Sequence, residues 1–212
     1  MHQIQEKAYS QKLWKRIQRG DVKALSELFE SRYLKLYNYG CKMINQETIV
    51  EDAIQDIFIS IWNGHHKLAD VSSVESYLLI SLRRRLLRLI EKERKISRRA
   101  EQLEPEITFN PGEFYFDESR DEDRHKVLAE ALNELPPRRK EAIYLHFYNG
   151  MDYAEISQIM DLSIQTVRNY ISHALIQVRE ILNERPVSHI LISVIFGLII
   201  PTALYFHELW LR

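Results

Sequence analysis

The sequence predicts an all-α protein: two small helical domains joined by an acidic linker, with a hydrophobic helix at the C-terminus. Three observations point there. Only 6 Gly and 6 Pro among 212 residues leave too few turn-formers for a loop-rich β-sandwich. Apolar residues recur at helical spacings through most of the chain. Charge is segregated within a net charge of −1: residues 83–99 carry nine Lys/Arg and two Glu, a balance of +7, and residues 101–123 carry nine Asp/Glu and one Arg, a balance of −8. The 3 Trp, 11 Tyr and 8 Phe exclude a wholly disordered chain. A single cysteine, Cys41, excludes an internal disulfide and a cysteine zinc site, and fits a reducing compartment. No apolar stretch follows the first residues, so no secretory signal is expected.

The first helix is expected over 5–19, with Gly20 as its C-terminal stop and Asp21 as N-cap of the second. The second places Val22, Leu25, Phe29, Leu36 and Met43 on one face. A third, over 48–62, carries Val50, Ile54, Ile57, Phe58, Ile61 and Trp62, and Gly64 ends it. After a polar loop, a fourth helix over 73–98 contains the basic block. Residues 101–123 hold Pro105, Asn110-Pro111-Gly112 and most of the acid, which reads as a linker. Its aromatics, Phe109 and Phe114-Tyr115-Phe116, are unusual for a free spacer.

The second domain is expected over 124–185. Pro136-Pro137 separates its first two helices, and Asn149-Gly150 marks a turn. Helices over 153–160 and 163–183 follow with only Asp161-Leu162 between them, the spacing of a helix-turn-helix. Ala154 suits a close crossing, while Ile156, Ile159, Leu162, Val167, Ile171, Ala174 and Val178 fill the core positions. Asp161 tolerates the left-handed backbone such a turn needs, and Ser163 is an N-cap. The exposed set is then Gln165, Arg168, Asn169, Ser172 and His173, side chains able to reach base edges and phosphates. An ordinary helical hairpin with a solvated face is the plainer reading.

Leu135-Pro136-Pro137-Arg138, Tyr153-Ala154-Glu155-Ile156 and Thr166-Val167-Arg168 with Ala174 resemble the region-four domain of bacterial sigma factors. Leu13-Trp14, Ile17, Gly20-Asp21, Ala24, Leu28-Phe29, Tyr33 and Leu36-Tyr37 resemble the start of the sigma region-two domain. Glu51-Asp52-Ala53-Ile54-Gln55-Asp56-Ile57-Phe58 with Ile61-Trp62 resembles its most diagnostic helix. The order matches the small extracytoplasmic-function class. The resemblance implies a region-two helical bundle over 1–99, a linker over 100–123, a region-four helix-turn-helix over 124–185 and a tail over 186–212. Region two would serve core polymerase, the minus-ten element and strand melting; region four, the minus-thirty-five element.

The same resemblance implies roles. Glu51, Asp52, Gln55 and Asp56 would bind the β′ coiled coil of core RNA polymerase, with the β subunit as a further contact; a solvated face is the alternative. The loop 63–72 would capture a flipped base, with His65, His66 and Lys67 stacking on or touching exposed bases and phosphates. Paired histidines without a third ligand at ligand spacing do not make a metal site. Arg83, Arg84, Arg85 and Arg88 would track single-stranded DNA. Where the family commonly has Asn, this chain has Arg84 or a near neighbour, which shifts that helix toward phosphate attraction. Promoter DNA and an anti-sigma factor complete the expected partners. No cofactor and no catalysis are expected, and the compartment is the cytoplasm.

Residues 190–206, from Ile190 to Phe206, are 17 residues without a charge. As a helix they would span about 26 Å against a hydrocarbon core of about 30 Å. Two readings stand: a tether to the inner membrane, or a helix buried on a protein partner. The runner-up for the whole chain is a membrane-tethered helix-turn-helix regulator working without polymerase. A metal-dependent nuclease built on Asp117, Glu118, Asp121, Glu122 and Asp123 lacks any constellation to fix the metal.

Overall fold

A computed structural model describes residues 2–96, 107–113 and 122–183. Every regular element among them is helical: α1 (His2–Gln18), α2 (Val22–Met43), α3 (Glu47–Asn63), a 3-10 turn (His65–Lys67), α4 (Val74–Ile96), a second 3-10 turn (Pro111–Glu113), α5 (Glu122–Asn133), α6 (Pro137–Ile143) running on into a π turn (Tyr144–Tyr148), α7 (Tyr153–Met160) and α8 (Ile164–Asn183). The described residues fall into two compact units. One comprises Met1–Ile107 and Glu141–Arg168, the other Thr108–Lys140 and Asn169–Arg212. The boundary thus runs through α6 and α8.

In the first unit, α1 to α4 pack around one core. Asp21 caps α2 as expected, its Oδ1 accepting from the amides of Lys23 and Ala24 at 3.0 and 3.2 Å. The Arg16 hydrogen bond and then the Ala24 amide hold its carboxyl below the ordinary value. Gly20 turns the chain at φ +83°, where a side chain would be strained.

The buried face of α2 differs from the expected one. Val22 is 55% exposed, and Leu25 and Phe29 are half-buried. The core row is Ala24, Leu28, Arg32, Leu36, Tyr39, Gly40 and Met43. Arg32 survives there because Ser10 Oγ accepts from its guanidinium at 2.7 Å and Glu6 lies alongside. Gly40 lets α3 approach: a Cβ at this position would stand 2.5 Å from Val50 Cγ1. Overpacking costs about 1–3 kcal/mol and the helix-propensity gain returns about 0.5–1. Gly40→Ala is therefore expected to lower stability by roughly 1–2 kcal/mol. Urea denaturation checks this, and Val50→Ala in the same chain should recover part of the loss.

In the second unit, residues 108–113 do not all behave as a solvated spacer. Phe109 is buried, and Asn133 grips its backbone from both sides: the Phe109 amide donates to Oδ1 at 2.8 Å, and Nδ2 donates to the Phe109 carbonyl at 2.9 Å. Arg139 donates to Gln177 Oε1 at 3.0 Å. The linker acids within 101–106 and 114–121, including Asp117, Glu118 and Asp121, lie outside the described residues. So do Phe114-Tyr115-Phe116 and the tail from Ile190 to Phe206. Among the described residues no helix is long and apolar enough to cross a membrane.

Candidate polymerase and nucleic-acid interface

On α3, Val50, Ala53, Ile54, Ile57, Phe58 and Ile61 are buried, which turns the polar stripe outward. Asp52 and Gln55 are exposed, and Glu51 and Asp56 half-buried. Tyr33 donates its hydroxyl to Glu51 Oε1 at 3.3 Å. Asp56 forms an ion pair with Arg85 of α4. Residues expected to serve two different partners, polymerase and DNA, are thus joined to each other.

The loop after α3 carries a stack of rings. His65 lies on Trp62, with centroids 5.0 Å apart and planes at 18°, and His66 meets His65 edge-on at 5.3 Å. The Trp62 carbonyl lies 2.7 Å from His65 Nδ1, so that nitrogen carries the proton and donates. His66 and Lys67 are exposed. Among the described residues no cluster of three or more His, Cys, Asp or Glu could hold a metal ion. Burial pushes the Cys41 thiol up, which keeps it protonated.

Helix α1 supports this loop, a role the sequence reading did not assign. Trp14 Nε1 donates to the Ala69 carbonyl at 3.1 Å. Gln18 Nε2 donates to the Leu68 carbonyl at 2.8 Å, and Gln11 Nε2 to the Val71 carbonyl at 2.8 Å. Lys15 pairs with Asp70. Positions 11, 14, 15 and 18 share one helical face, and that spacing was the available signal.

The four arginines of α4 separate. Arg84 and Arg88 are exposed, and Arg85 is half-buried against Asp56. Arg83 departs from the expected basic stripe. It is 6% exposed, and its Nε donates to Glu141 Oε1 at 2.6 Å and its second nitrogen to Oε2 at 3.3 Å. Tyr39 donates to the same Oε1 at 2.8 Å. Burial alone would lower the Arg83 pKa, but the bond to and charge of Glu141 carry it above the ordinary value. Burial, followed by the Glu141 charge, holds the Tyr39 hydroxyl well above its ordinary value, so it stays a donor.

The helix-turn-helix is built as the turn chemistry requires. Asp152 and Glu155 form a reciprocal capping box at the start of α7. Asp161 takes the left-handed conformation at φ 55°, ψ 57°. Ser163 Oγ accepts from the Thr166 amide at 3.0 Å, capping α8. Ile156, Ile159, Val167, Ile171, Ala174 and Val178 are buried, whereas Leu162 is half-buried and Ala154 exposed, so Ala154 makes no close crossing. Gln165, Arg168, Asn169, Ser172 and His173 are all exposed along α8. The Arg168 guanidinium lies 6.0 Å over the Tyr153 ring, which steadies its position.

Comparison with known proteins agrees with this architecture. Residues 28–96 match the family described as Sigma-70 region 2, and residues 125–178 match Sigma-70, region 4. A curated relative, the ECF RNA polymerase sigma factor SigK of Mycolicibacterium vanbaalenii, is 21% identical over 158 residues, 74% of this chain and 81% of its own. SigK of Mycobacterium ulcerans is 22% identical over 172 residues, 81% of this chain and 92% of its own. Among solved structures, the sigma factor RpoE from Bartonella quintana, in complex with the anti-sigma factor NepR, superposes with a TM-score of 0.56 at 20% identity, covering 76% of this chain and 98% of that one. CnrH, in complex with the cytosolic domain of CnrY, gives 0.55 at 19%, covering 83% and 98%. A regulator that ignored polymerase would have no use for a region-two match that includes α3. The two matches lie in the expected order and together cover more than half of the chain, which belongs to the extracytoplasmic-function class of bacterial RNA polymerase sigma factors and directs promoter recognition and transcription initiation.

Proposed function

We propose that the stripe Glu51, Asp52, Gln55 and Asp56 docks on the β′ coiled coil of core polymerase, with a further contact to the β subunit. His65, His66 and Lys67 receive an unstacked base of the minus-ten element. Arg84, Arg85 and Arg88 hold the melted strand, joined by Arg83 once it is free of Glu141. Gln165, Arg168, Asn169, Ser172 and His173 read the minus-thirty-five element in the major groove. In domain terms, 1–99 is the region-two body, 100–123 the linker and 124–185 the region-four body. The chain acts without catalysing a reaction and without a cofactor. It works in the cytoplasm beside polymerase and DNA, with an anti-sigma factor as its negative partner.

The observation that carries this reading is the α8 face: all five expected side chains are exposed on one helix whose turn and cap are built to present it. Core polymerase reconstituted with the full chain should yield run-off transcripts and an upstream footprint on a cognate promoter. Arg168→Ala should cost about 1–3 kcal/mol of promoter discrimination if the guanidinium reads a base edge. His173→Ala should weaken upstream protection. Unaltered footprints and promoter preference in both variants would exclude this face.

A further inference from the structure

We propose that Glu141 is an internal stand-in for a DNA phosphate: it holds Arg83 of α4 in a buried pair and latches the region-four entry helix α6, with α7, onto the region-two helices until promoter DNA competes for the arginine. This rests on the proposed role of α4 in holding the melted strand.

The latch joins residues from the two family matches within one compact unit. Arg83 and Tyr39 belong to the region-two match, and Glu141 to the region-four match, yet all three meet in one buried cluster. Around it, α4 packs along α7. Ser76 donates to Glu155 Oε1 at 3.2 Å, Lys7 pairs with the same oxygen at 3.0 Å, and Ser76 lies 4.0 Å from the Met151 sulfur. Ion pairs and hydroxyl contacts thus run through the joint, beside a stack of the Tyr39 and Tyr144 rings at 6.3 Å. The buried ion pair is weakly favourable against an apolar pair of the same volume, so Arg83 can exchange Glu141 for another anionic partner. A carboxylate presenting two oxygens to guanidinium nitrogens offers the same geometry as a phosphate.

Distance gives the latch its consequence. Elements named minus ten and minus thirty-five have centres about 25 base pairs apart, roughly 85 Å at about 3.4 Å per base pair. Packed helices lie about 8–10 Å apart. A chain with α4 against α7 cannot place α4 at one element and the α7–α8 pair at the other. The contact has to open before both are filled, and opening is what exposes Arg83. DNA binding and domain separation thus become one event.

The test uses the full chain and a fluorescein-labelled 15-nucleotide single strand of mixed sequence. Glu141→Gln keeps the shape and removes the charge that holds Arg83. It should bind the oligonucleotide about fivefold or more tightly at low salt, with a salt slope steeper by about 0.7, the value for one more phosphate on a single strand. A folded Glu141→Gln chain with wild-type affinity and slope overturns the latch. A second measurement decides if that variant does not fold. Ser76→Cys with Met151→Cys, in a Cys41→Ser background, is joined by a short reducible bis-maleimide. The joined chain should bind the strand at least tenfold more weakly and recover on reduction; equal binding before and after reduction overturns the latch. A pull-down of the unaltered chain with core polymerase is read alongside. Failure there removes the polymerase reading and the latch with it, whereas capture of core with no response to either manipulation removes the latch alone.

Discussion

Replacing Asp52 and Asp56 together by lysine is expected to abolish binding to core polymerase while leaving the chain folded. The expectation of intact folding comes from where the two residues stand. Asp52 is exposed and Asp56 half-buried, on the side of α3 opposite Val50, Ile54, Ile57 and Ile61. The one described side-chain partner at stake is Arg85, and an ion pair this open to solvent is worth about 0–1 kcal/mol. The expectation of lost binding comes from charge reversal at a basic partner surface. Truncating one member of a desolvated interfacial pair costs about 2–5 kcal/mol, and reversal at two positions exceeds a single truncation. A loss of more than about a hundredfold in affinity is therefore expected. Circular dichroism and urea midpoint establish the fold, and a pull-down with core measures the effect. Glu180→Lys, an exposed reversal on α8, serves as the control. Wild-type affinity of the folded double variant would falsify the anchor.

The Asp56–Arg85 pair adds a second consequence. Polymerase that takes Asp56 leaves Arg85 without its described carboxylate, on the helix proposed to hold the melted strand. Core binding and strand capture are then coupled through one side chain. By linkage the coupling runs both ways: DNA that takes Arg85 frees Asp56 for polymerase. The open setting of the pair makes this coupling smaller than that of the buried Arg83–Glu141 pair.

What could be read from the sequence was local. The turn between α7 and α8 was legible because it needs one left-handed residue and one cap, and Asp161 and Ser163 are suited to those tasks. The α3 stripe was legible because burying Val50, Ile54, Ile57 and Ile61 forces Asp52 and Gln55 outward. The α2 core row was misread because it runs through Arg32 and Gly40. A count of apolar spacings skips a charged residue and a glycine, and settles on Val22, Leu25 and Phe29 instead. The pairing that keeps Arg32 buried comes from α1, beyond the reach of any local pattern. Arg83 was grouped with its neighbours for the same reason: its partner Glu141 lies 58 positions away. The Asn133 grip on Phe109 spans 24 positions and turns part of an apparent spacer into packed structure.

The support that α1 gives the loop proposed to capture a base leads to the other large effect. Trp14 is fully buried, meets the Tyr77 ring edge-on at 5.1 Å, and donates to the Ala69 carbonyl at 3.1 Å. Trp14→Ala removes a large core side chain and is expected to cost about 3–5 kcal/mol, a large part of the stability of a domain that totals about 5–15. That change alone would not separate folding from loop placement. Trp14→Phe does so more cleanly. The phenyl ring keeps much of the packing against Tyr77 but cannot donate, so Ala69 loses its indole partner. The missing bond is worth about 0.5–1.5 kcal/mol, a loss the fold should tolerate. The loop, with its Trp62–His65–His66 stack, then keeps its ties to Gln11, Gln18 and Lys15 but lacks the central one. Core binding by Trp14→Phe should match wild type, since α3 is untouched. Open-complex formation, read by permanganate reactivity of unpaired thymines, should fall several-fold. Wild-type reactivity in a folded Trp14→Phe holoenzyme would mean that the bond to Ala69 has only an architectural role. Equal loss of core binding and strand opening would place the defect in the fold of the helical body, not in the loop.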